Sequence, residues 1–235
     1  MKSIEFIIKQ IVVETAQDER FLQKVGNQVS KWVDNFKSTN KGKLPQFVEP
    51  GTLGTVTGLT GSTDAEKHLL DLGLIFLLFQ NGVMGAYRPA KGEWGGDIGL
   101  NIQYLASDVS LDKTKRGQAF KHHLRQHEND ISSTVAHELR HALDDYLSKG
   151  KHDQSSGKQD YWDSNVELNA FFTQALNSLQ KMIDQGTVNQ DNLEWAIKRV
   201  FNNSEFISRL RAKNDPRVKR LYSRAYNYFK NITVD

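Results

Sequence analysis

The stretch Thr134-Val135-Ala136-His137-Glu138-Leu139-Arg140-His141-Ala142 constrains this chain more than any other. On a helix, residues four apart lie one above the other on the same face. His137 and His141 would then stand side by side and grip one metal ion between adjacent turns. Glu138, beside them, can reach a water on that ion. Two imidazoles plus one more ligand leave zinc an open position, as a catalytic site requires. Such a chain needs a helix here, a third ligand close by, and a place for substrate.

The ligand chemistry is narrowed by what is missing. The 235 residues contain no cysteine. Thiolate zinc sites, disulfides and cysteine nucleophiles are thereby excluded, and any metal must be held by imidazole and carboxylate. Hydrophobic residues make up 38% and charged residues 25%, the balance of a globular chain with a sizeable core. The opening Met1-Lys2-Ser3-Ile4-Glu5-Phe6-Ile7-Ile8-Lys9 is charged too early to be a secretory signal. Leu69–Phe79, the most apolar run, is far too short to span a bilayer. A soluble, cytoplasmic protein with no membrane partner is expected.

Along the chain, Ile4, Ile8, Ile11 and Val12 recur at helical spacing. After Asp18, so do Phe21, Leu22, Val25, Val29, Trp32, Val33 and Phe36. Two helices forming an N-terminal arm are expected. Residues 37–62, with Pro45, Pro50 and many Gly, Thr and Lys, read as a long loop. Thr63-Asp64-Ala65-Glu66 is a capping box. Leu74–Phe79 suits a buried strand or a buried helix end. Val83–Arg88 and Asp97–Leu105 read as strands joined by the Gly-rich turn 91–96. The motif helix is expected to start near Asn129 or Asp130 and to stop at Lys149-Gly150. Asp163 or Ser164 should cap a helix from Asn165 to about Gln185. Two or three further helices follow, one opened by Asp215-Pro216.

The third ligand is the test of the motif. Glu167 lies on the first or second turn of the next helix, and Ala170, one turn on, is small enough for close helix approach. The same Glu also suits a first turn stabilised by the helix dipole. Asp144 and Asp145 follow His141 on its own helix, where one could orient a ligand imidazole or simply face solvent. His152, in the polar loop 151–161, is a lesser ligand candidate. His122, His123 and His127 cluster without a suitably placed Glu and read as structural. From Lys198 to Lys230 ten Lys or Arg stand against Glu205 and Asp215. They form either solvated helix faces or a surface for nucleic acid or another polyanion.

Taken together, His137-Glu138-x-x-His141 and Glu167-x-x-Ala170 resemble the zincin metallopeptidases of the gluzincin type, whose third zinc ligand is a Glu on a following helix. Asp144 and Leu147 stand where a metzincin would carry Gly and His. Tyr161, Glu167 and Ala170 are also similar to a pattern in small phage-borne and bacterial zincin-like proteins. The resemblance implies an α+β, mostly helical fold, with a small antiparallel sheet ahead of the active-site helix and a helical C-terminal part. The resemblance covers Ile98 to about Leu179; with the pattern of the rest, the chain is expected to divide into an N-terminal arm and loop (1–62), a zincin-like core (63–186) and basic C-terminal helices (187–235). The resemblance also implies Zn2+ on His137, His141 and Glu167 and Glu138 as general base in peptide hydrolysis; Tyr161, which immediately precedes the ligand helix, is the first candidate donor to the reacting carbonyl, against a packing role, and His152 the second. The partner would be a polypeptide substrate, paired along a sheet-edge strand at Ile98–Gln103. Two other readings stay open: a zinc-binding structural or interaction protein, for example of a phage particle, and a hydrolase of non-peptide amides. Phe171 stands where thermolysin-like members carry a supporting Asp, so support for the histidines must come from elsewhere.

Overall fold

The computed structural model describes residues 4–40, 43–47, 49–79, 84–91, 96–102, 118–150 and 164–230, with backbone only for 4–16, 118–128 and 205. The chain divides into two compact units: Leu22–Asp153, and Met1–Phe21 with Gln154–Asp235. Both draw on helix α1, Ile4–Thr39, which is continuous where two helices were expected. The reason is local. Glu14-Thr15-Ala16-Gln17-Asp18 contains no Gly or Pro, so nothing breaks the helix between the two apolar patterns. No helix among the described residues is long and apolar enough to cross a membrane.

In the unit 22–153, Leu22, Val25, Val29 and Val33 form one fully buried stripe along α1. Next to that stripe Trp32 stacks on Phe76, with ring centroids 6.2 Å apart. Residues 37–62 are not simply loop. They include helix α2 (Thr52–Thr57), whose Leu53 is fully buried and donates its N–H to the Leu72 carbonyl at 3.1 Å. Helix α3 (Asp64–Leu70) opens with the expected capping box, in which Thr63 accepts from Glu66 N–H and the Glu66 carboxylate accepts from Thr63 N–H.

Leu74–Phe79 resolves in favour of a strand. Strands β1 (Gly73–Leu77), β2 (Gly85–Arg88) and β3 (Asp97–Asn101) form one sheet in the order β1-β3-β2. β2 and β3 are antiparallel, with Arg88 opposite Asp97. Arg88 donates to both Asp97 oxygens at 2.7 Å, which holds the end of the pair together and keeps the guanidinium more firmly protonated than usual. β1, however, runs parallel to β3. The sheet is therefore mixed and not antiparallel as expected. The unbroken apolar run Leu74-Ile75-Phe76 is the pattern of a parallel strand covered on both faces. A second expectation fails with it. β3 is the central strand, hydrogen-bonded on both sides, so Ile98–Asn101 has no free edge to offer a substrate backbone; Gln103 lies outside the described residues.

Helix α4, Gln118–Leu147, begins well before Asn129 and Asp130. Neither residue caps it; both are exposed mid-helix positions, where their poor helix propensity, worth under about 1 kcal/mol each, is outweighed by the buried stripe that follows. Its buried stripe is Ile131, Val135, Leu139, Ala142 and Leu143. Lys149 and Gly150, at φ 55° and 71°, end it as the sequence indicates. α1 crosses α4 at Gly26, where a Cβ would lie 2.5 Å from the Ser132 carbonyl oxygen.

In the other unit, Ser164 caps α5 (Asn165–Asp184), accepting from the N–H groups of Val166 and Glu167. Helices α6 (Leu193–Asn203), α7 (Glu205–Ala212) and α8 (Pro216–Lys230) follow. Pro216 occupies the first position of α8, and the Asp215 carboxylate accepts from Arg217 N–H at 2.8 Å. One apolar core joins α5 to α8 through Phe172, Leu176, Phe201, Phe206, Leu221 and Phe229. The buried Glu19 of α1 accepts from Thr173 Oγ1 at 2.7 Å.

Candidate metal centre

The α4 helix places His137 and His141 as their spacing requires. Their Nε2 atoms lie 3.2 Å apart, with ring centroids 4.9 Å apart and planes at 74°. His141 is buried and His137 half-buried. Two nitrogens bound tetrahedrally to one zinc at roughly 2.0–2.1 Å stand about 3.3–3.4 Å apart. The imidazole pair thus has the separation of two ligands on one ion. The same distance also suits an N–H···N hydrogen bond if one ring donates.

Glu138 is buried beside them and points toward the sheet. Its Oε2 accepts the backbone N–H of Tyr87, on β2, at 2.8 Å. The Tyr87 hydroxyl then donates to Asp145 Oδ2 at 2.9 Å. One residue of β2 is thereby tied to α4 at two points, two helical turns apart. Burial and the bond to Asp145 push the Tyr87 phenol well above its ordinary pKa, so it stays protonated and remains a donor. Gly85, on the same strand, lets the backbone come down onto the helix. A Cβ there would lie 2.5 Å from Thr134 Cγ2 and 3.2 Å from Glu138 Cγ. Thr134, Glu138 and Asp145 form one stripe of α4, and β2 rests along it.

This strand was not singled out as part of the site. The available signal was a glycine inside a strand pattern, which marks a close backbone approach. Gly85→Val is expected to lift β2 off α4 and to lower stability by about 1–3 kcal/mol, the usual range for overpacking. A urea unfolding midpoint shows this; an unchanged midpoint would mean that the strand does not rest on the helix.

The two aspartates after His141 do not support the imidazoles. Asp144 pairs with Arg140 at 2.8 Å, both side chains nearly buried, and Asp145 is taken by Tyr87. Phe171 stacks on Phe206 at 4.8 Å, which accounts for an aromatic where a supporting acid was expected. Glu167 sits on the capped first turn of α5, half-buried, in the unit that does not contain the histidines. Tyr161 and His152 lie outside the described residues. His122, His123 and His127 fall on α4, ahead of the motif.

No family model matches this sequence, and neither a curated protein nor a solved structure matches it.

Proposed function

We propose that the chain is a zinc-dependent metallopeptidase, with His137, His141 and Glu167 as the metal ligands and Glu138 as general base. The observation that carries this reading is the 3.2 Å convergence of the two Nε2 atoms on one helix, with a buried carboxylate between them in sequence. Two imidazoles and a carboxylate form a donor set that could hold a metal ion. With no cysteine in the chain, it is also the nitrogen-and-oxygen set of catalytic zinc. Bound there, zinc supplies Lewis acidity, polarising a carbonyl and acidifying water to a pKa near 7. Glu138 takes the proton from the attacking water and passes it to the leaving amine. The Tyr87 N–H fixes the orientation of that carboxylate. Tyr161 remains the sequence-based candidate for a donor to the reacting carbonyl.

The same Tyr87–Glu138 bond favours a second reading: a zincin-like structural or interaction module in which Glu138 serves to seat β2 on the helix. Cleavage separates the two. The native chain is expected to cut a denatured protein mixture, to stop when chelated, and to resume when zinc is returned. A zinc-loaded chain that leaves the mixture intact would favour the structural module.

A further inference from the structure

The helical unit carries a second feature, independent of the metal centre. A cleft of about 660 Å³ opens between α6, the turn joining α7 to α8, and α8, with Lys198, Asn202, Arg211, Asp215, Lys219 and Tyr222 in its lining. Its charge is positive in effect. Asp215 is the one acid in the lining, and Arg217 donates to both its oxygens. That pairing holds the Asp215 carboxyl below its usual pKa. Lys198 pairs with Glu194 at 2.5 Å, but both are solvent-exposed, and such pairs are weak and readily exchanged. Arg211 is set in place: it donates to Asn202 Oδ1 and to the Tyr222 hydroxyl. Its guanidinium stands 5.7 Å from the Tyr222 ring centre.

The faces bordering the cleft combine charge with aromatic rings. Trp195, Lys198 and Asn202 follow one another on α6 at i, i+3 and i+7. Lys219, Tyr222 and Tyr226 do the same on α8. Trp195 is 51% exposed and Tyr226 41%, although the unit has a large apolar core in which rings could be buried. Exposed rings among cations are what a flexible polyanion with flat faces would use. Phosphates pair with the cations and bases stack on the rings. A duplex hides its base faces, and an acidic peptide would use only the charges.

We infer that this cleft binds single-stranded nucleic acid, with phosphates on Lys198, Arg211 and Lys219 and bases stacked on Trp195 and Tyr226. The test is fluorescence anisotropy of the full chain with a labelled single-stranded oligonucleotide of about 20 nucleotides, long enough to exceed one typical site. Binding is expected at low salt and should weaken as salt rises. Lys219→Glu should weaken it and reduce the slope of log K against log salt by about 0.7, the loss of one phosphate contact. Trp195→Ala and Tyr226→Ala should each weaken binding by roughly tenfold and leave that slope unchanged, as loss of a stacked base does. All three side chains are exposed, so the variants should keep the native circular dichroism. No binding at low salt would overturn the inference. So would binding indifferent to Lys219→Glu, or equal binding of duplex and single strand with Trp195→Ala and Tyr226→Ala neutral, which would leave only unspecific charge attraction.

Discussion

Glu138→Gln is expected to slow peptide cleavage by about 10²–10⁴-fold while the chain keeps its metal. The amide has the shape of the carboxylate, and its carbonyl oxygen can still accept the Tyr87 N–H that Glu138 Oε2 accepts at 2.8 Å. β2 should therefore stay seated on α4, and the histidines, one residue before and three after, should keep their positions. What the amide cannot do is take a proton. General acid–base catalysis contributes about 10²–10⁴-fold, so kcat should fall by that factor. Zinc content and unfolding midpoint should stay close to native. The combination matters because the structural reading gives Glu138 the role of holding Tyr87, and Gln retains that bond. A Gln variant that cleaves as fast as the native chain would remove Glu138 from the chemistry.

Removing a ligand should have the opposite signature, with metal and activity lost together. Partners that merely support a metal ligand are worth about 10–100-fold in affinity. Loss of a direct ligand should exceed that, so His141→Ala and Glu167→Ala should each weaken zinc binding by more than about 100-fold. For Glu167 the variant also loses a first-turn carboxylate favourable to the dipole of α5, worth about 0.3–1 kcal/mol. That is too little to unfold a helix capped by Ser164 and buried through Leu168, Phe172 and Leu176, so a loss of affinity would report on the metal. A chelator competition measures it. Affinity unchanged in Glu167→Ala would leave the histidine pair in need of another third ligand.

What was legible in the sequence was local. His137 and His141 converge because four residues make nearly one helical turn. The capping box at Thr63 and Glu66, the Ser164 cap and Pro216 at the start of α8 satisfy backbone groups within a few residues, so their spacing is visible in one dimension. Helix starts were less legible where no breaker was present: α1 and α4 both run through polar stretches that looked like boundaries. The sheet was hardest. Pairing of β1 beside β3 is decided by which buried strands meet across more than twenty residues, and no turn between them records it. The hydrophobic run Leu74-Ile75-Phe76 showed that a buried element was there, but not its direction. Tyr87 was invisible for a related reason. Its backbone, not its side chain, holds Glu138, and a backbone N–H leaves no mark on residue type. Gly85 was the one trace of that contact.

The most direct test is zinc titration of the purified, chelated chain against a chromophoric competitor. One tightly bound zinc per chain is expected, lost on replacing His137 or His141 with Ala. A chain that binds no zinc under these conditions, with its native fold intact, would contradict the metal centre and every role assigned to Glu138 in it.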